Sequence, residues 1–297
     1  MAKRPKAPIG ASLVVLSSLF YASYGIWTTL MGDSFEGYTA SAIRSALVVL
    51  LLLLPALLYH KIEPLRLALN WKPIAGIFIG SLFTWGPLYY SIQHAGVGMS
   101  LTVNYASMVI GLFFFGWLMA KERFTKDKAV SGVLGIIGML FIFIPSGSIG
   151  TSSALLLAVL SGISIGFTIV CVKKLTYNAT QSTLVLWGIS TLANIPMAFL
   201  FAKNWPVVSL QIEWLYLLLF AIASIVASWS LIKGLQYIDA GAAGVLGLLE
   251  IVFSVLFGIF LFNEALNMAT LLGVVTIIIA AAIPYIKDYN SQSGTLQ

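Results

Sequence analysis

The run GAAGVLGLLEIVFSVLFGIFLF, residues 241–262, holds a single charged residue, Glu250. Apolar runs of this length recur along the chain. About 20 apolar residues wound as a helix cross the ~30 Å hydrocarbon core of a bilayer. Inside hydrocarbon every backbone N–H and C=O must be satisfied internally, so only helices and closed barrels span it. These runs have the length of a membrane-spanning helix and are read as helices. Composition agrees: 60% of the residues are hydrophobic and 9% charged, against roughly 25% charged in soluble domains. The fold class read from this is an all-α polytopic membrane protein.

Ten spans are expected, at roughly 8–31, 37–59, 72–93, 98–119, 128–145, 152–173, 180–202, 212–237, 241–262 and 268–286. Connections are short and leave no room for a soluble domain. The start MAKRPK before an apolar run imitates a signal peptide. The run is too long for one and lacks a small-x-small cleavage site, so it is read as the first span. Cys171 stands alone, which excludes a disulfide framework and a thiolate metal site. The polar end NSQSGTLQ is expected to be disordered, the tail being taken as 289–297.

The net charge of +6 does not point to nucleic acid, because the basic residues lie in short loops. They orient the chain instead. One side carries Lys3, Arg4, Lys6, Lys61, Arg66, Lys72, Lys121, Arg123, Lys126, Lys128, Lys173, Lys174 and Lys287; the other carries Lys203. The positive-inside rule then places both termini in the cytoplasm, in a cell inner or plasma membrane. The sequon Asn178-Ala179-Thr180 falls on a cytoplasmic loop in this topology and is rejected as a glycosylation site.

The two halves resemble each other. LYYSIQHAGVG (88–98) parallels LIKGLQYIDAG (231–241), with Leu88, Gln93 and Gly98 matching Leu231, Gln236 and Gly241. Phe115-Gly116 matches Phe257-Gly258, Glu122 matches Glu264, and Ser17 matches Ser161. The offsets run from 142 to 144, and this near-constancy is the sign of a repeat. The expected units are 1–147 and 148–288, each of five helices. An odd number of spans makes the second copy enter from the opposite face, so the expected architecture is ten transmembrane helices as two inverted five-helix repeats. Inverted repeats around a midplane site are a transporter architecture.

GWLMAKE (116–122) and GIFLFNE (258–264) close spans 4 and 9 with a shared G-x(5)-E pattern, and LLEIVFSVLFG (248–258) precedes the second. With the 5+5 plan, the chain resembles the drug/metabolite transporter superfamily, EamA type, over essentially its whole length. The resemblance implies a secondary transporter of small organic solutes, with export of amino acids or related metabolites as the preferred version. It departs from that family's pattern where prolines are common in spans 4 and 9; here Val109 and Ile251 stand.

Three charged residues lie well inside spans: Arg44, Lys233 and Glu250. Each is costly, at least about 2.5–3.5 kcal/mol on insertion scales. Glu250 is about nine residues, or ~14 Å, along its span and too deep to snorkel. It is read as a proton carrier or the partner of a substrate ammonium; the alternative is a packing hydrogen bond. Its repeat counterpart is Met108, so the fold does not demand the acid. Arg44 lies nearer the outer end of its span. It either binds a substrate carboxylate, snorkels outward, or pairs with Asp33 or Glu36. Lys233, near a cytoplasmic end, is read as snorkelling, and Glu122 and Glu264 as helix-end structure.

Neutral polar residues form stripes: Ser17, Tyr21 and Tyr24; Trp85 and Tyr89; Asn104 and Tyr105; Ser161, Ser164 and Thr168; Ser224 and Ser228. Such stripes face protein or a wet cavity more often than lipid. Ser17, Tyr21, Trp85, Tyr89, Asn104, Ser161, Ser164, Ser228 and Glu250 are the candidate substrate contacts, with Arg44 for a carboxylate. Hydroxyls that merely join helices are the competing reading. Tyr24, Trp27 and Trp71, near span ends, are read as interfacial. Pro55, Pro87 and Pro196 are expected to interrupt their helices, Gly86-Pro87 as a hinge. Gly76-x3-Gly80 and Gly162-x3-Gly166 are expected to permit close helix contact.

No phosphate-binding GK[ST] loop is present, so no ATP-driven step is read. His60 and His94 lie at opposite faces, and no span carries a paired acid or a His-Glu-x-x-His, so no enzyme, metal or cofactor is expected. The expected partners are a small-molecule substrate and the lipid bilayer, in a monomer or homodimer. Multidrug or quaternary-amine transport is the alternative, then a non-transporting receptor.

Overall fold

Where water is absent the chain must bond its own backbone, and it does so by helices throughout. The computed structural model describes residues 7–143, 152–202, 204–206, 211–263 and 266–293, apart from Leu65, Gly96 and Phe124. Lys3, Arg4, Lys6, Lys203 and Glu264, used above, lie outside the described residues. The α-helices are α1 (Ala7–Ala22), α2 (Tyr24–Met31), α3 (Gly37–Leu58), α4 (Leu67–Ala95), α5 (Val97–Ala120) and α6 (Lys126–Phe143). They continue as α7 (Ser152–Lys173), α8 (Ala179–Phe201), α9 (Ile212–Leu235), α10 (Ala240–Gly247), α11 (Leu249–Phe262) and α12 (Met268–Ser293). No strand occurs among the described residues.

Eight stretches of the described helices are long and apolar enough to cross a membrane. Two of these are broken helices: α1 with α2, and α10 with α11. The expected fifth and tenth spans are occupied by α6 and α12, which pack on each other. Outward faces are apolar: Phe199, Leu200, Phe260, Leu54 and Leu58 are all exposed. Exposed large apolar side chains in this number are unfavourable in water and at home in lipid. The protein is an integral membrane protein.

The packing has a repeating form. Helix α7 lies against both α4 and α5, while α1 lies against α9 and against α10 and α11. Helix α3 packs on α8, as α6 does on α12. The central apolar cluster joins Val14 of α1, Leu112 of α5, Val170 of α7, Leu235 of α9 and Leu246 of α10. Glycines allow the closest approaches, as their spacing suggests. At Gly162 a Cβ would run into the Asn104 carbonyl of α5, and at Gly166 it would sit 2.8 Å from the Met108 carbonyl. Gly76 and Gly80 of α4 meet the other side of α7, at Cys171 and Thr168.

Breaks fall elsewhere than expected. Pro55, Pro87 and Pro196 lie inside unbroken helices α3, α4 and α8, so the interruptions read from sequence are corrected. Neighbouring helices in a membrane bundle make up for the backbone bond a proline removes. The breaks are at Ser23 and Leu248. At Leu248 the turn tightens, with Leu248 N donating to Val245 O and Ile251 N to Leu248 O, three residues back each time. The Leu246 carbonyl there accepts from Ser18 Oγ of α1 at 3.3 Å. At Ser23 the side chain donates to Phe20 O at 2.6 Å and accepts Trp27 Nε1 at 3.1 Å. Helix α12 runs to Ser293, into the segment read as a disordered tail, because the polar residues after Ile286 continue its turns; residues 294–297 lie outside the description.

Candidate functional site

The break at Leu248 sets Glu250 in the first turn of α11. A helix start offers unsatisfied N–H groups and a positive dipole end, which suit a carboxylate. Broken helices aimed at a midplane site are how transporters receive charged groups. Glu250 Oε1 accepts a 2.7 Å hydrogen bond from Tyr105 Oη of α5. Tyr21 of α1 lies within electrostatic reach of Glu250, Tyr24 and Arg44, and its ring meets that of Tyr24 edge-on at 5.2 Å.

The other pole is Arg44 on α3. It is 3% exposed, buried deep in the bundle rather than snorkelling. Its guanidinium carbon stands 4.3 Å from the Phe220 ring centroid, 4.9 Å from Tyr24, and 5.4 Å from both Trp85 and Trp187. Rings attract a cation through their faces. No described residue forms an ion pair with Arg44, and its Nε has no hydrogen-bond partner. Trp187 is held in place by donating Nε1 to Ser228 Oγ at 2.8 Å.

The predicted residues divide. Tyr21, Glu250, Trp85 and Arg44 belong to one chain of neighbours, Tyr105–Glu250–Tyr21–Tyr24–Arg44–Trp85. The hydroxyls and amide join helices: Ser17 Oγ bonds Ala227 O at 2.8 Å, Asn104 Nδ2 bonds Ser161 Oγ at 2.8 Å, and Ser161 Oγ bonds Thr84 O at 2.6 Å. Ser164 bonds Leu160 O in its own helix and Ser228 bonds Ser224 O. Tyr89 packs on Tyr38, ring centroids 5.2 Å apart. Lys233 turns to Gln236 Oε1 at 2.9 Å and lies over the Tyr237 ring, away from Glu250.

Tyr24 is corrected from an interfacial residue to a part of the Arg44 cage, packed edge-on to Phe220 at 4.6 Å. It lies one turn beyond Tyr21, and that spacing was the available signal. Tyr105, Trp187 and Phe220 were not selected. Trp187 and Phe220 come from α8 and α9, remote in sequence, and carry no local mark of their position.

Glu122 has the helix-end role read for it. Its carboxylate accepts Lys173 Nζ at 2.6 Å and the backbone N–H of Ala240 at 2.8 Å, capping α10. Beside it, Lys128 forms an ion pair with Asp239. An apolar crevice of about 440 Å³ between α1, α10–α11 and α12 is lined by Ala11, Val15, Leu246, Leu249, Ile278 and others. It holds no charged group and is distinct from that chain of neighbours.

An apolar helical bundle with a buried guanidinium and a half-buried carboxylate inside its apolar spans has the anatomy of a membrane transporter, because such groups mark solute and ion pathways. Comparison with known proteins makes this specific. The profile of the EamA-like transporter family matches residues 8–144 and again residues 152–285. The chain belongs to the EamA-like transporter family. Two similar curated proteins are uncharacterized transporters of Helicobacter pylori. One, from strain ATCC 700392 / 26695, is 22% identical over 280 residues, covering 91% of this chain and 92% of its own. The other, from strain J99 / ATCC 700824, is 21% identical over 279 residues with the same coverage. A solved crystal structure shares the fold with a TM-score of 0.77 at 17% identity, covering 93% of this chain and 97% of the other.

Proposed function

We propose that this membrane transporter is a secondary carrier of small organic solutes, amino acids or related metabolites, that exports them by alternating access. In this reading it has ten spans in two inverted five-helix repeats, units 1–147 and 148–288. Both termini lie in the cytoplasm, and the membrane is the cell's inner or plasma membrane. The observation that carries the reading is the 2.7 Å bond between Tyr105 and Glu250. It joins the two segments that match the same family profile, at the helix break where a solute would sit. Glu250 then serves as the partner of a substrate ammonium, or as the group that exchanges a proton for it.

The packing supports a two-fold exchange of halves: α7 between α4 and α5 answers to α1 between α9 and α10–α11. The uneven distribution of Lys and Arg supports the orientation. Candidate contacts are Tyr21, Tyr105, Trp85 and Glu250, with Ser17, Asn104, Ser161, Ser164, Ser228 and Tyr89 setting the helices around them. The quaternary-amine alternative is disfavoured by Arg44. An aromatic cage suits such a cation, but here the protein's own guanidinium fills it.

The test is counterflow in proteoliposomes, with panels of labelled amino acids, nucleosides and quaternary amines. Flux of one or more amino acids is the expected result. Flux confined to quaternary amines would install the alternative, and absence of flux across the whole panel would favour a receptor.

A further inference from the structure

We infer that Arg44 is the anchor for a carboxylate of the transported solute, so that the substrate is bound by both its charges. This rests on the transport reading above and adds the substrate's second pole.

An arginine inside a bundle is ordinarily paired or reaches for the membrane surface. Arg44 does neither: it is 3% exposed and without an ion pair among the described residues. The four surrounding rings stabilise its charge through their faces, but a ring is a poor acceptor for the in-plane N–H groups. A guanidinium has five such donors in a fixed fork, and Nε here has no hydrogen-bond partner. A buried donor left unmade is costly. A carboxylate arriving in the plane of the fork uses these donors in a bidentate pair that a ring cannot supply.

The surroundings favour an amino acid over a simple organic acid. Tyr21 and Tyr24 each lie within electrostatic reach of both Arg44 and Glu250. Yet no ion pair joins the two charges to each other. A zwitterion lying beside these two tyrosines would direct its carboxylate toward Arg44 and its ammonium toward Glu250. If Arg44 were only a cation packed on rings, its charge would suffice and lysine would replace it. If it is a carboxylate receptor, the fork is needed.

The experiment is calorimetric titration of the purified full-length protein with the standard amino acids, each beside its own carboxamide, in wild type, Arg44→Lys and Arg44→Gln. The expected result is that at least one amino acid binds and its amide binds roughly 30-fold more weakly or worse, the scale of losing one partner of a buried charge pair. In Arg44→Gln the acid should fall to the level of its amide, and Arg44→Lys should recover only part of the difference. An amide that binds wild type as tightly as its acid overturns the role of Arg44 while leaving the transport reading intact. Full retention of acid binding in either variant does the same. If no amino acid binds wild type, the substrate class itself is overturned. The wild-type comparison of acid with amide stands even where a variant fails to fold.

Discussion

Glu250 and Glu122 are both carboxylates at a helix start, and they are held in different ways. Glu122 is closed off, with Lys173 on one oxygen and the α10 backbone on it as well. Its side chain is 9% exposed and that of Lys173 19%. Removing one partner leaves the other charge uncompensated, so Lys173→Met is expected to destabilise by about 3 kcal/mol, read as a lowered unfolding midpoint in detergent. Among the described residues Glu250 has one side-chain hydrogen-bond partner, a neutral phenol, and Tyr105→Phe should cost roughly 1–3 kcal/mol in the same assay and lower transport. Glu250 was legible because an acid deep in an apolar run has no cheap explanation. The cage of Arg44 was not, since Tyr24, Trp85, Trp187 and Phe220 come from four helices and only their packing brings them together.

Among the elements, α7 shows most directly how sequence becomes packing. Its glycines at 162 and 166 meet the backbone of α5, and those of α4 meet its other side. Gly162→Ala drives a methyl into the Asn104 carbonyl and is expected to destabilise by about 1–3 kcal/mol. It should also disturb the bond from Asn104 to Ser161. Unfolding midpoints of Gly162→Ala and of the control Gly188→Ala, whose Cβ would meet nothing within 4 Å, check this. Lengths and apolar faces of the helices were readable from runs and glycine spacing. Their breaks were not: a proline marks a possible interruption, but Pro55, Pro87 and Pro196 lie in unbroken helices. The breaks at Ser23 and Leu248 follow local hydrogen bonds, one of them completed by Ser18 of another helix.

For the whole molecule, the proposed orientation rests on the distribution of charge and is open to a direct check. Cys171, the single cysteine, is buried, so an impermeant maleimide meets little background. Asn204→Cys is expected to react from outside intact cells, and Arg123→Cys only after permeabilisation; the opposite pattern would reverse the topology. The membrane class and the two-part plan were legible because long apolar runs and a near-constant offset are properties of the chain itself. In the proposed mechanism the depth at which a solute meets charge depends on how the halves close on each other, and this is where Glu250, Tyr105 and Arg44 acquire meaning. The most direct test of that meeting point is amino-acid flux in proteoliposomes under an imposed pH gradient, wild type beside Glu250→Gln. Wild type should carry at least one amino acid at a rate that responds to the gradient, and Glu250→Gln should lose that response together with most of the flux. Flux and pH response unchanged in Glu250→Gln would make the carboxyl a packing group and contradict the proposed mechanism.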